Sequence, residues 1–450
     1  MALLRRTYEL LKAPEPVLHF QHLCGVRFES GLGNARVGKS QHNHHHHERN
    51  SDVGGLTTGC ANEASDVDKG CNGHSQNVHE LRSRTLATLP TAAEIEVDKE
   101  KRKKDNSSSS LENDDEYNFV IEDSFIYHLL YYLFSFGANL GNEVFYCTFF
   151  PFWFWNVDSY VFRRVITLWF VTLYSGQVLK DIIRWPRPPS PPVIRMEKRY
   201  EKEYGMPSTH AMVGFIIPFA LLYLTMHRYE YDFSIGLTIC VCWTSLVSLS
   251  RLYLGMHSIL DIICGLMCSM AILPLGAPYL DIIDEFLLSS RYAPVVIIFG
   301  PIAVLCCLSP LFERGNCTLG DTVQTISVYA GVMLGSWFTH HFSANAGPVD
   351  PPPYAVTLPD ATWFGSMLLR TCLGVLFLIA TRAVMKPLMF YTMCTILRFD
   401  RDDPKTKQHI LVELPYKFVA YTIVTFNVAF LAPCMFQYLG IERISFYYEF

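Results

Sequence analysis

Apolar stretches near 20 residues long recur from about residue 144 to the C-terminus, and they limit the class of fold before any motif is read. A helix needs roughly 20 such residues to cross a ~30 Å hydrocarbon layer. Clean spans are expected at about 160–179, 209–226, 233–252, 258–278, 293–312, 322–340, 364–383 and 418–439. The shorter aromatic segments 125–140 and 144–156 read as two crossings, or as one crossing with an interfacial segment. Residues 387–399 are a candidate for one more. The expected fold is an all-α polytopic membrane bundle of about nine or ten transmembrane helices.

Half of the 450 residues are hydrophobic and the net charge is only −5, so no nucleic-acid partner is suggested. The 14 cysteines fall mostly in apolar runs (Cys240, Cys242, Cys264, Cys268, Cys306, Cys307), where they read as small hydrophobes.

Residues 1–115 are polar and are expected to form a disordered tail. Its opening, MALLRRTYELLKAPEP, lacks the unbroken apolar core of a signal peptide and suits a short amphipathic surface helix with a cytosolic N-terminus. His42 and His44 to His47 read as low-complexity drift rather than a metal site. The run Lys99–Asp105 with Ser107–Ser110 reads as a solvated linker or a membrane contact switched by phosphorylation. Three further regions follow: aromatic-rich first membrane segments at 116–159, a catalytic core at 160–278, and additional transmembrane helices at 279–450.

Charge is costly in such a chain, so the places that carry it matter. Three clusters stand out: Lys180…Arg187-Pro188, Pro207-Ser208-Thr209-His210, and Ser250-Arg251…His257…Asp261. By crossing count all three lie on one membrane face. Arg163-Arg164 and His227-Arg228 mark the opposite ends, which the positive-inside bias makes cytoplasmic. The site then faces the lumen, as does the sequon Asn316-Cys317-Thr318. The basic stretch Arg398–Lys417 fits this only if 387–399 crosses.

The clusters suit a phosphate dianion. Arg187 and Arg251 each present a planar fork to two oxygens, and Lys180 adds a point charge. Taken singly, Lys180 or Arg184 reads equally well as a juxtamembrane anchor. Ser208 caps an apolar helix whose free N–H groups suit an anion. His210 stands beside that start as a general acid. His257 and Asp261, four residues apart, share a helix face, so Asp261 can fix the tautomer and leave the other ring nitrogen aimed at phosphorus. No Walker-type loop is present and no residue set has metal-ligand spacing, so neither a cofactor nor a metal is expected.

These residues resemble the signature of the phosphatidic acid phosphatase type 2 (lipid phosphate phosphatase) superfamily: Lys-x6-Arg-Pro, Pro-Ser-Gly-His and Ser-Arg-x5-His. The first and third parts match; in the second, Thr209 replaces Gly. PSTH, with NEVFYCTFFPFWFWNVDSY and LHFQHLCGV, is similar to the sphingosine-1-phosphate phosphatase branch. The resemblance implies a lipid phosphate substrate and a phosphohistidine on His257, with Asp261 orienting it and His210 protonating the leaving group. Lys180, Arg187, Ser208, Thr209 and Arg251 would bind phosphate. It also implies an endoplasmic-reticulum membrane, a luminal site and no magnesium requirement. The motifs read phosphate rather than the lipid tail, so dolichyl diphosphate, glucose 6-phosphate or a glycerolipid phosphate stay open as substrates. A silent transporter or binding protein is the non-enzymatic alternative.

Overall fold

The computed structural model describes residues 2–28, 119–197, 203–308, 318–342, 352–356 and 360–449, and these are mostly α-helical. The histidine run, the basic linker and Asn316 lie outside the described residues.

The N-terminus departs from expectation. Residues 2–28 are ordered as α1 (Ala2–Lys12), α2 (Glu15–Leu23) and β1 (Val26–Phe28). β1 pairs antiparallel with β2 (Phe119–Ile121), Val26 opposite Ile121. Averaging composition over 115 residues hid an apolar face: Val17, Cys24 and Val26 are buried, and Phe20 packs edge-on to Phe134.

The membrane-type region runs through α3 (Phe125–Asn139), α4 (Glu143–Asn156), α5 (Ser159–Ile183), α6 (Thr209–Thr225), α7 (Phe233–Tyr253) and α8 (Ile259–Gly276). It continues with α9 (Leu280–Ser289), α10 (Ala293–Leu308), α11 (Thr318–Phe342), α12 (Ala361–Leu397), α13 (Ile410–Ala429) and α14 (Leu431–Tyr438). By length and composition, four of the described helical stretches can cross a membrane: 233–253, 259–289, 361–397 and 410–438. Residues 209–225 and 293–304 form shorter apolar helices. Residues 387–399 are not a separate crossing. They end the 37-residue α12, which carries Pro387 inside it. At 1.5 Å per residue α12 is about 55 Å long, more than the ~30 Å a crossing needs. Arg398, in a left-handed conformation (φ 58°), closes it.

Two packings organise the bundle. α6 lies against α5, α7 and α8. α11 lies against α13 through a small-residue stripe, Gly331 and Gly335. A Cβ on Gly331 would fall 2.0 Å from Thr425 Oγ1 and 2.4 Å from the Thr422 carbonyl, so the backbones can meet only at glycine. Aromatic side chains, among them Phe150, Phe154, Trp155, Phe162 and Trp169, fill the core between these packings.

The end of α5 away from the three clusters is held by buried ion pairs. Arg163 Nε lies 2.9 Å from Asp284 Oδ1, and Arg164 Nη1 lies 2.7 Å from Asp284 Oδ2. Arg228 pairs with Asp158, which also caps α5. Arg163, Arg164 and Arg228 are thus all paired with carboxylates at this end. At this same end β3 (Tyr229–Glu230) pairs in parallel with β4 (Tyr354–Ala355).

Candidate active site

Four helix ends meet, and local sequence sets each. α5 stops after Lys180 because Arg184 takes a left-handed conformation (φ 52°) and Pro186 and Pro188 cannot continue a helix. α6 begins at the Ser208 cap, whose Oγ accepts from Ala211 N at 3.4 Å. Ser208 N donates to the Asp261 carbonyl at 3.1 Å, tying the start of α6 to α8. α7 ends at Gly255 with φ +66°, where a Cβ would sit 2.2 Å from the Ile194 carbonyl. That turn delivers His257 just ahead of Ser258, the cap of α8.

The charged groups converge there. Arg187 Nη1 lies 3.1 Å from His257 Nε2 and donates to the Met256 carbonyl at 2.8 Å. A guanidinium can only donate, so Nε2 presents its lone pair and the ring proton falls on Nδ1. Lys180 Nζ donates to Glu203 Oε2 at 2.7 Å, and Arg187 Nη2 lies 3.8 Å from the same oxygen. Arg251 Nη2 donates to Glu197 Oε2 at 3.0 Å, while Arg251 Nε and Nη1 are buried with no acceptor among the described residues. Lys180, Arg187, Ser208, Thr209, His210, Arg251, His257 and Asp261 are all buried.

Burial, reinforced by the positive charge of Arg187, Arg251 and Lys180, holds the His257 imidazole well below its ordinary range. The ring is therefore neutral at neutral pH. Burial lowers Arg187 to about 10, which leaves it protonated. Burial works against ionisation of Glu203, but the charges of Lys180 and Arg187 outweigh it and hold the carboxyl below its ordinary range.

Residues 162–281 match the PAP2 superfamily. The chain is 42% identical over 315 residues to sphingosine-1-phosphate phosphatase 1 of Rattus norvegicus, covering 70% of this chain and 73% of that protein. It is 38% identical over 316 residues to sphingosine-1-phosphate phosphatase 2 of Homo sapiens, covering 70% and 79%. The chain belongs to the sphingosine-1-phosphate phosphatase family. A dihydrosphingosine 1-phosphate phosphatase of Schizosaccharomyces pombe is 29% identical over 212 residues, 46% of this chain and 51% of that protein. No solved structure matches the chain.

Within this family member, one expected contact fails and three unforeseen residues enter. His257 and Asp261 do not share a helix face, because α8 starts at Ile259. Nδ1 and Asp261 Oδ2 stand 3.7 Å apart, too far for a hydrogen bond. That oxygen instead accepts from Ser258 N at 2.8 Å and completes a capping box. Asn142, the cap position of α4, sets its Oδ1 3.2 Å from His210 Nε2, and a Cβ on Gly141 would fall 2.3 Å from that ring. Gln21, fully buried on α2, donates from Nε2 to the carbonyls of Ile194 (2.6 Å) and Tyr253 (2.9 Å). Its Oε1 accepts from Ile194 N at 3.0 Å. Glu203, four residues before Pro207, is the third. As one of three glutamates between 197 and 203, it has no sequence signal of its own.

Proposed function

We propose that the chain is an integral-membrane phosphohydrolase that removes phosphate from sphingosine-1-phosphate and related sphingoid-base phosphates. The observation that carries the reading is the neutral, lone-pair nitrogen of His257 held 3.1 Å from a buried arginine. Substrate phosphate takes the place that Arg187 now fills at Nε2, and the guanidinium turns to its oxygens. Arg251 supplies its Nε and Nη1, Lys180 a point charge, and the start of α6 the positive end of its dipole.

His257 Nε2 attacks phosphorus as the P–O bond to the lipid breaks, and His210 gives its proton to the departing alkoxide. Asn142 Oδ1 holds that ring in place. Water, losing a proton to His210, then attacks phosphorus and breaks the P–N bond. Inorganic phosphate leaves and both histidines are restored. Asp261 balances the charge that develops on His257.

The catalytic core in this reading is 160–278, with 116–159 and 279–450 flanking it. Nine crossings fit the alternation of helix ends: α4, α5, α6, α7, α8–α9, α10, α11, α12 and α13–α14. α3 and the ordered N-terminus then lie on the site's side, because Gln21 holds loops that carry the site. Residues 398–409 lie on that side too. We assign the chain to the endoplasmic-reticulum membrane with the site facing the lumen, as the family resemblance implies, so the N-terminus is luminal rather than cytosolic. Purified protein should release phosphate from sphingosine-1-phosphate in EDTA, and His257→Ala should abolish release. Activity lost to EDTA and restored by magnesium would reject the mechanism.

A further inference from the structure

The proposed reaction does not by itself require a carboxylate among the phosphate ligands, yet one is there. Glu203 is buried, and its Oε2 contacts Lys180 at 2.7 Å and faces Arg187 Nη2 at 3.8 Å. Its backbone carbonyl accepts from Arg187 Nε at 2.9 Å, which fixes the residue against the site. These are two of the three cations that would take the phosphate oxygens. An ionised carboxylate this close repels an incoming dianion, and the repulsion is strong where water is excluded.

Charge balance points the same way. Lys180, Arg187 and Arg251 stand with Arg195, whose charge acts on Arg187, against the carboxylates of Glu197, Glu203 and Asp261. A bare phosphate dianion tips this set to a negative surplus. A substrate carrying a cation beside its phosphate reduces the surplus. Glu197 is the less suited acceptor for that cation, because its side chain is partly solvated (22% exposed) and engages Arg251. Glu203 is almost fully desolvated (4% exposed), and its anchor Lys180 is itself a phosphate ligand. A group two carbons from the ester oxygen lies within a few ångströms of phosphorus, hence within reach of Glu203.

We infer that Glu203 receives a protonated amine carried next to the substrate's phosphate, and so selects amino-phosphate lipids over amine-free ones. The inference rests on the proposed function and names the residue that makes the substrate choice. In a sphingoid-base phosphate the amine sits on the carbon next to the phosphate-bearing one. An ammonium–carboxylate contact in a water-poor site is a strong, charge-assisted bond. Lys180 and the ammonium would share Glu203, which turns its repulsion of phosphate into a bridge.

The test compares kcat/KM for sphingosine-1-phosphate and for octadecyl phosphate, with full-length protein in detergent micelles. Wild type should prefer the amine-bearing substrate by about thirtyfold or more. In Glu203→Gln that preference should fall by at least about tenfold, whatever the absolute rates, and Glu203→Asp should restore part of it. A Glu203→Gln preference within about twofold of wild type, with both rates lowered together, would reduce Glu203 to a partner of Lys180 and overturn the inference. So would a wild type with no preference, a result that needs no variant to fold. A wild type that hydrolyses neither phosphate would instead remove the proposed function, so the two failures are distinguishable.

Discussion

Arg251→Lys isolates what the guanidinium adds beyond its charge. In the resting site Nη2 is engaged by Glu197 at 3.0 Å, and Nε and Nη1 are buried with no acceptor among the described residues. Bound phosphate supplies those acceptors. A hydrogen bond to a charged group contributes about 1.5–3 kcal/mol. Lysine keeps the charge but offers one nitrogen, which Glu197 also attracts, so at least one phosphate bond is lost. At about 1.4 kcal/mol per decade, kcat/KM should fall roughly ten- to hundred-and-fifty-fold. Arg251→Ala removes both bonds and the charge, and should lose about a thousandfold or more. Phosphate release from micellar sphingosine-1-phosphate measures both. An orthovanadate titration followed by thermal melting gives an independent check, since a ligand at about a hundred times its Kd adds about 2.7 kcal/mol to stability. Wild type should melt higher with vanadate, and Arg251→Lys should show much less of that rise. Wild-type kinetics in Arg251→Lys, within about threefold, would refute the role assigned to the unpartnered nitrogens.

Gln21→Ala orphans Ile194 N and the carbonyls of Ile194 and Tyr253, at about 1–3 kcal/mol for each buried group left unsatisfied; melting temperature and kcat should both drop, and unchanged values would separate the N-terminus from the site. The His257 imidazole is held well below 6.5, so as pH falls the unfolded chain takes its proton first. Its contribution to stability is therefore present above pH 6.5 and lost as pH falls below it, and His257→Gln should flatten this part of the melting profile. Gly331→Val forces a side chain into the Thr425 contact and should destabilise the α11–α13 pair by several kcal/mol, read as loss of monodisperse protein on size-exclusion chromatography. In the proposed topology the segment between α10 and α11, which carries the sequon at Asn316, is luminal, and the sequon should then carry a glycan. Endoglycosidase should shift the mobility of wild type and not of Asn316→Gln.

Much of the candidate site was legible because polar residues are scarce in an apolar chain. Lys180, Arg187, Arg251, His210 and His257 stand out against their surroundings, and helix alternation alone puts them at one end of the bundle. The supporting residues are different in kind. Asn142 acts on a ring 68 positions away, and Gln21 on a backbone 173 and 232 positions away, with no spacing to announce either. The i, i+4 reading of His257 and Asp261 brings the two side chains near each other but not into a hydrogen bond, because His257 precedes the helix and its cap, Ser258, takes the carboxylate. The candidate crossing at 387–399 is instead the end of α12, which runs through Pro387 as α6 runs through Pro218 and α8 through Pro274. Neighbouring helices can make good the hydrogen bond that a proline removes in a membrane bundle.

The resting site also explains how three fixed cations can be built where the bundle excludes water. Each unpaired buried charge costs several kcal/mol, so an empty phosphate cradle of three bare cations would destabilise the fold that carries it. Glu203 and Glu197 remove that penalty by pairing Lys180 and Arg251, and His257 Nε2 accepts from Arg187. In the proposed reaction substrate enters by exchange, with phosphate oxygens replacing protein acceptors on groups already aligned and desolvated. Affinity is weakened by the partners that must yield. Rate gains, because these donors need little reorganisation when charge develops on the transferring phosphoryl group. The same exchange keeps the nucleophile guarded, since the lone pair of His257 is exposed to phosphorus only when a phosphate has drawn Arg187 away from it.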